Sequence, residues 1–210
     1  MLRMAVLGCG RIGQMHARNI AQHPETSLSA VFDVNDTSAT EVAEKYSARK
    51  IHNISEIFES NEIEAILVAS ATATHADYIE MAIQSGKPVL CEKPIDLDLD
   101  RVNKTAELVR DTSVLIQIGF NRRFDPGHQS AKKALADGDI GDLHQVIITS
   151  RDPEMPSDKY YKEAGGLMRD MTIHDFDLAR FMLESEPTEV FAVAGGLINP
   201  KLMGALNDHD

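Results

Sequence analysis

The sequence predicts an α/β protein whose first part is a doubly wound parallel sheet. Three observations lead to this prediction: short, almost continuous apolar runs, longer stretches with helical periodicity between them, and a glycine-rich turn directly after the first run. Strands that are covered by helices on both faces must be apolar on both faces, and these runs have that character. The alternation therefore predicts a βαβαβ order and a parallel sheet.

Each element follows from this pattern in chain order. The predicted strands are the apolar runs at residues 2–7, 28–32, 65–69, 88–91 and 114–118. The predicted helices are the periodic stretches between them, at residues 11–22, 37–46, 74–85 and 99–111. Gly86 and Pro88 end the third of these helices.

The regular alternation of apolar runs and helical stretches ends after residue 118, which predicts a second domain of another type. In order, we expect a loop at 119–127, a helix to about 137, a turn at Gly138 and Gly141, a strand near 143–150, an irregular stretch at 152–166, a helix at 171–183 and a strand at 189–194. So few elements cannot close a sheet, because an apolar face and open edges remain. We therefore expect a first domain at 1–120 and the incomplete start of an α+β open-sheet domain at 121–210.

Composition limits the possible partners and compartments. Lysine and arginine total 21 against 33 acidic residues, and the net charge of −12 repels nucleic acid and anionic membranes. No apolar run reaches the roughly 18 residues that a membrane helix needs. The two cysteines, Cys9 and Cys91, offer neither a metal-ligand spacing nor a disulfide framework, which favours a reducing compartment and a cytoplasmic protein.

A glycine motif directly after the first strand predicts a dinucleotide site. Gly8, Gly10 and Gly13 form G-C-G-R-I-G at the start of a helix, where such glycines allow a tight turn, close approach to a pyrophosphate and close helix packing. Asp33 ends the second strand about 20 residues later, where a carboxylate accepts a ribose hydroxyl and repels a 2′-phosphate, so NAD is favoured over NADP. The alternative is a structural turn beside a solvated acid. Arg11 either contacts the pyrophosphate or only begins the helix.

Further motifs carry a resemblance to a known family. Thr72-Ala-Thr-His75 follows the strand at 65–69, and Glu92-Lys93-Pro94 follows the strand at 88–91. With these motifs the chain resembles the glucose-fructose oxidoreductase, inositol dehydrogenase and MocA family. Three longer segments are similar to those of its inositol 2-dehydrogenases: Gly119-Phe-Asn-Arg-Arg-Phe-Asp125, Arg151-Asp-Pro153 and Gly165-Gly-Leu-Met-Arg-Asp-Met-Thr-Ile-His-Asp-Phe-Asp177. The resemblance covers all 210 residues, and it implies a cis peptide before Pro94.

The chemistry of alcohol oxidation selects three candidate catalytic residues. A base of near-neutral pKa must take the hydroxyl proton, and His174 suits that role, with Asp170 one helical turn earlier to hold the imidazole. Lys93, at the carboxyl end of a parallel strand, can donate to the reacting oxygen. In the family the matching residues have these roles. The alternatives are a helix-capping Asp170–His174 pair and a solvated Lys93. A metal site formed with Asp175 or Asp177 is set aside, because hydride transfer needs no metal.

The remaining predicted site residues are assigned with less specific arguments. Thr72 and His75 either line the cofactor crevice or cap the following helix, and Asp152 either binds hydroxyls or is solvated. Arg122 binds polyol or nicotinamide while Arg123 forms a structural pair, or the two arginines exchange these roles. Tyr160 and Tyr161 either wall the pocket or pack. The predicted cofactor set is Gly8, Gly10, Arg11, Ile12, Gly13, Asp33, Thr72, His75, Glu92, Lys93 and Arg122, and the predicted substrate set is Lys93, Arg122, Asp152, Asp170 and His174.

The resemblance implies an NAD-dependent oxidation of myo-inositol to 2-keto-myo-inositol by a cytoplasmic homo-oligomer. The alternatives are scyllo-inositol or a pyranose sugar as substrate, or a non-catalytic NAD-binding fragment. Family members continue with strands that complete an open sheet for substrate binding and subunit pairing. The chain is therefore expected to be truncated inside that sheet.

Overall fold

A computed structural model describes residues 1–152, 154, 160, 164–197 and 200. The chain divides into two compact units, Met1–Gly119 and Phe120–Asp210. The first unit contains a six-stranded sheet in the order β3-β2-β1-β4-β5-β6, and every neighbouring pair of strands is parallel. Its strands are β1 (Leu2–Leu7), β2 (Thr26–Phe32), β3 (Arg49–Lys50), β4 (Ala65–Val68), β5 (Val89–Cys91) and β6 (Ile116–Ile118). The predicted doubly wound α/β fold is confirmed.

Helices cover both faces of this sheet and bury alternate residues of the central strand. Ala5 and Leu7 of β1 belong to one apolar cluster and Val6 to the other, and all three side chains are fully buried. This two-sided burial explains the near-continuous apolar character of β1. The helices of the unit are α1 (Arg11–Gln22), α2 (Asp36–Tyr46), α3 (Ser55–Glu59), α4 (His75–Ser85) and α5 (Leu99–Arg110).

The strand order creates a switch point beside β1. The strand pairs with β2 on one side and with β4 on the other, so the connections after β1 and β4 leave in opposite directions. In open α/β sheets, ligands bind outside the carboxyl ends of the strands at such a point. The loops that follow β1, β2, β4 and β5, with the helix starts next to them, carry the predicted cofactor residues of the first unit and lie at this edge; Arg122 belongs to the second unit.

One short strand and one short α-helix of the first unit were not predicted. β3 has two residues and α3 has five, which is too short for either periodicity to become visible. The elements that were predicted for the first unit are all present. Their boundaries differ from the predicted ones by at most two residues, and α1 has the predicted bounds. Ile57 and Phe58 of α3 are buried in the core, so this short helix contributes packing despite its length.

The described residues of the second unit form helices and turns. A 3-10 turn at Asn121–Phe124 precedes α6 (Pro126–Ala136), and α7 (Leu167–Asp170) and α8 (Thr172–Leu183) follow. Asp125 caps α6, because its side chain accepts hydrogen bonds from the backbone N–H groups of Gly127 and His128. Pro126 occupies the first helical position, where its missing N–H leaves no hydrogen bond unmade.

The two strands predicted for the second unit are not present. Residues 143–150 and 189–194 form neither helix nor strand, and Val190, Phe191 and Val193 are more than 80% exposed. A strand exists only where a neighbour completes its ladder, and neither segment has such a neighbour among the described residues. The alternating pattern therefore indicated a capacity to pair, which these segments do not use here.

Candidate functional site

The glycine loop after β1 requires the absence of side chains at two positions. Gly8 has φ +97°, and a Cβ on it would lie 2.4 Å from the carbonyl oxygen of Ala69. A Cβ on Gly13 would lie 1.8 Å from the carbonyl oxygen of Gly8. The loop, β4 and the first turn of α1 can therefore pack this closely only with glycine at both positions.

Gly10 differs from these two glycines, because a Cβ there would meet no atom within 4 Å. This open position is next to the start of α1, whose first N–H groups donate to no capping side chain. A backbone without a side chain before a helix N-terminus fits a pyrophosphate that approaches the loop. Arg11 is exposed and Ile12 is half-buried in the same first turn.

Asp33 connects the end of β2 to the glycine loop. One carboxylate oxygen accepts the backbone N–H of Cys9 at 2.5 Å, and the other accepts the N–H of Asn35 at 2.7 Å. Each oxygen retains a lone pair, so the carboxylate can hold the loop and still accept a ribose hydroxyl. The loop-holding contact was not evident from the sequence.

The Glu92-Lys93-Pro94 loop follows β5 and contains a cis peptide bond between Lys93 and Pro94, as the resemblance implied. Glu92 Oε1 lies 2.7 Å from Nε2 of His16 on α1. Burial opposes ionisation of this carboxyl, but hydrogen bonds and positive charge from His16 and Lys93 outweigh it, so the pKa of Glu92 is below its usual range. His16 therefore fastens the Lys93 loop to α1, a role that the sequence did not indicate.

The side chains of His75, Cys9 and Cys91 are too deeply buried to touch a ligand. The His75 side chain is 2% exposed and its two ring nitrogens lie near the carbonyl oxygens of Pro94 and Ser70, so we replace the predicted cofactor contact of this side chain by a bridging role. Thr72 lies half-buried in the preceding 3-10 turn, and its cofactor contact stays a prediction. Burial, together with Asp33, raises the pKa of Cys9 to about 12, and burial and Glu92 raise that of Cys91, so neither supplies a thiolate near neutral pH.

The second unit contains Asp170 and His174 at the junction of two helices. Asp170 is the last residue of α7, and His174 lies in the first turn of α8, with Met171 between the two helices. The continuous helix that the four-residue spacing assumed is therefore interrupted at Met171. The Phe120 ring meets the His174 ring edge to face at 6.4 Å between centroids, which limits the orientations of the imidazole.

Two arginines in the 3-10 turn hold two aspartates of α8. Arg123 makes a bidentate pair with Asp177, whose side chain is 4% exposed, and its hydrogen bonds and charge raise the pKa of Arg123. This agrees with the structural pairing predicted for Arg123. Arg122 also forms an ion pair, with Asp175, which accepts a second hydrogen bond from Ser150 Oγ at 2.6 Å. A role of Arg122 toward a ligand thus rests on its remaining guanidinium N–H groups.

Other predicted positions contribute less to the geometry. Asp152 is exposed and Tyr160 is 44% exposed, while Pro153 and Tyr161 lie outside the described residues. Within the described ranges, no three His, Cys, Asp or Glu side chains cluster as metal ligands would. Each helix in the part of the chain that the structure describes is too short or too polar to cross a membrane.

Comparison with known proteins places this geometry in a family. Residues 2–120 match the GFO_IDH_MocA model, described as "Oxidoreductase family, NAD-binding Rossmann fold", and residues 128–208 match the GFO/IDH/MocA C-terminal domain. The resemblance and the NAD-binding class predicted from the glycine loop and Asp33 are confirmed by these matches.

Individual relatives match along the whole chain. An inositol 2-dehydrogenase from Rhizobium meliloti (strain 1021) is 44% identical over 209 residues, 100% of this chain and 63% of the relative. The crystal structure of a myo-inositol dehydrogenase from Corynebacterium glutamicum superposes with TM-score 0.88 at 38% identity, over 100% of this chain and 62% of that one. A scyllo-inositol dehydrogenase from Lactobacillus casei, solved with NAD(H) and scyllo-inositol, gives TM-score 0.84 at 25% identity and covers 100% and 64%.

Proposed function

The chain belongs to the Gfo/Idh/MocA family of oxidoreductases, and from this premise we propose that it oxidises a hydroxyl-bearing ring carbon of a cyclic polyol. The proposed reaction converts myo-inositol and NAD to 2-keto-myo-inositol and NADH. The observation that carries the proposal is the 44% identity, along the whole chain, to an inositol 2-dehydrogenase. The chain spans 63% of the length of that relative, so the activity of the complete protein is part of the proposal.

Three residues divide the proposed proton chemistry between them. His174 accepts the hydroxyl proton, and Asp170 stabilises the imidazolium that results. Lys93 donates a hydrogen bond to the reacting oxygen and favours its alkoxide. NAD, when bound, supplies the hydride acceptor, and the glycine loop and Asp33 are the residues that would hold it.

Supporting residues complete the proposed site. Glu92, Arg11, Ile12 and Thr72 stay assigned to cofactor binding, and Arg122 and Asp152 to substrate hydroxyls. We also propose a cytoplasmic homo-oligomer, in keeping with two buried, free cysteines and with the family.

A second candidate substrate is scyllo-inositol, which differs from myo-inositol in the orientation of one hydroxyl. It is favoured by the likeness to a scyllo-inositol dehydrogenase whose structure contains that compound. A pyranose sugar and a purely NAD-binding function are the remaining alternatives.

The test is NADH formation, followed by absorbance, with myo-inositol, scyllo-inositol, glucose and a linear polyol. We expect the largest kcat/KM for myo-inositol with NAD, and a loss of about 100-fold or more in kcat for His174→Asn, because proton transfer by a positioned base contributes about 10²–10⁴-fold. His144→Asn, at an exposed histidine in the same unit, is the matched control and should retain activity.

Three outcomes separate the candidates. Preference for scyllo-inositol or glucose replaces the substrate, and equal rates on the linear polyol contradict a cyclitol enzyme. NAD binding without turnover of any polyol, measured by calorimetry, indicates an NAD-binding module. Absence of NAD binding as well contradicts the proposed function altogether.

A further inference from the structure

The imidazole of His75 lies between two backbone carbonyl groups inside the first unit. Its Nδ1 is 2.7 Å from the carbonyl oxygen of Pro94, and its Nε2 is 3.0 Å from that of Ser70. The side chain is 2% exposed, so water does not compete for these contacts. Because a carbonyl oxygen only accepts hydrogen bonds and the neutral imidazole has one N–H, we assign that proton to Nδ1, whose contact is the shorter.

These carbonyls belong to the loops that leave two adjacent parallel strands. Ser70 lies two residues beyond the end of β4, and Pro94 lies three residues beyond the end of β5. Val68 and Cys91 are register partners at the ends of these strands, so the two loops begin side by side. His75, the first residue of α4, therefore joins a loop that leads to Thr72 with the loop that carries Lys93.

Each loop is also held by another contact, and in the Lys93 loop this is the contact of Glu92 with His16. The Ser70 loop has its own hydrogen bonds through Thr74, whose Oγ1 lies 2.7 Å from Ser70 Oγ and donates to the carbonyl oxygen of Ala71 at 2.8 Å. The contact of His75 with Pro94 is the shorter of its two, and it acts on the residue directly after Lys93. An apolar side chain in the same volume would leave this buried carbonyl without its donor.

We propose that His75 is a positioning residue, which fixes the Pro94 carbonyl and thereby sets the position of the Lys93 ammonium. The proposal rests on the proposed function, because Lys93 acts there on the reacting oxygen. His75 touches neither substrate nor cofactor in this assignment. A displacement of about 1 Å at a reacting group can lower a rate by about 100-fold, so the effect is measurable.

Three variants at this position separate the two ring contacts. His75→Asn keeps an amide nitrogen where Nδ1 stands, toward Pro94, whereas the amide of His75→Gln reaches toward the position of Nε2 and Ser70. His75→Leu keeps a similar volume and removes both ring nitrogens. We expect kcat to fall about 10- to 100-fold in the Gln and Leu variants, with KM for NAD changed less than about twofold, and to stay within about threefold of the parent in the Asn variant.

A second readout does not depend on turnover. In protein reductively methylated with ¹³C-formaldehyde, the dimethyl signal of Lys93 is assigned by its absence from Lys93→Arg. It should shift in the Gln and Leu variants and keep its position in the Asn variant. If the unsubstituted chain oxidises no polyol, the proposed function fails, and this signal still decides the role of His75.

Two results would overturn the inference. An unshifted Lys93 signal in all three variants would show that His75 does not act on Lys93. Losses of kcat that are similar in the three variants and that follow their losses in melting temperature would indicate a role in stability alone.

Discussion

β1 and the segment at 189–194 have comparable apolar content and opposite surroundings. Val6 and Leu7 of β1 are fully buried between two parallel neighbours, whereas Val190 and Phe191 are 82% and 90% exposed. An apolar run therefore gives only the capacity to form a strand. The neighbour that completes the hydrogen-bond ladder makes the strand, and β1 has two such neighbours inside its own unit.

The largest expected contrast between the units lies in their apolar side chains. Leu7→Ala should lower the free energy of unfolding by about 2–5 kcal/mol, because it removes buried apolar atoms and leaves a cavity in a closely packed core. Phe191→Ala, although it removes more atoms, should change it by less than about 0.5 kcal/mol, because the ring is already in water. Urea unfolding followed by far-ultraviolet circular dichroism measures both.

A loss of more than about 2 kcal/mol in Phe191→Ala would break the comparison, because it would mean that the ring is covered in solution. Val34→Ala serves as the control in the first unit, since Val34 is 93% exposed and should also have little effect.

The same contrast explains which parts of the fold could be predicted. In the first unit each strand longer than two residues left an apolar run, and each long helix left a 3.6-residue period, because both faces of the sheet are covered within the unit. β3 and α3 were missed because two and five residues contain too little pattern. In the second unit the strands predicted at 143–150 and 189–194 are absent, because no described segment lies beside either of them to complete a hydrogen-bond ladder.

The candidate site was predictable where the backbone itself requires a residue type. Gly8 and Gly13 were identifiable because any side chain there would collide with the loop or with β4. The partners of side chains that act across long sequence separations were not predictable. His16 meets Glu92 at a separation of 76 residues, and Arg123 meets Asp177 at 54. Such contacts exist only after the strands have been ordered, which no local spacing reveals.

A smaller effect tests whether the ion pair between Arg123 and Asp177 stabilises the second unit. Asp177→Asn should lower the free energy of unfolding by about 1–3 kcal/mol, because Asp177 is buried and its bidentate pair holds α8 to the turn at Asn121–Phe124. The value lies below that of a fully buried pair because 40% of the Arg123 side chain is exposed and regains water.

Glu186→Gln is the matched control, since Glu186 also pairs with an arginine of α8, Arg180, but at the surface. Glu186→Gln should leave the free energy of unfolding almost unchanged. Equal effects of the two substitutions would mean that burial of Asp177 contributes nothing to the second unit.

The smallest expected effect is a difference in pH dependence between Glu92 and Glu186. Both carboxyls have a pKa below the ordinary value of 4.5. Burial raises the pKa of Glu92, but hydrogen bonds and charge from His16 and Lys93 lower it by more. The pKa of Glu186 is lowered by the hydrogen bond and charge of Arg180, and this pair is exposed to solvent. A group with a lowered folded pKa adds stability above its unfolded pKa, and this contribution disappears as the pH falls through the folded pKa. Glu92→Gln should therefore be less stable than the parent at pH 7, and the two should converge below pH 4.5.

Salt separates the two carboxyls in that measurement. Added sodium chloride should remove the pH-dependent difference for Glu186→Gln, because exposed charges are screened, and should leave most of it for Glu92→Gln, because only 21% of the Glu92 side chain is exposed. Urea unfolding of the parent and both variants at stepped pH, with and without salt, gives both differences. Parallel stability curves for Glu92→Gln and the parent over the whole range would show that the His16–Glu92 contact does not fasten the Lys93 loop in the folded first unit.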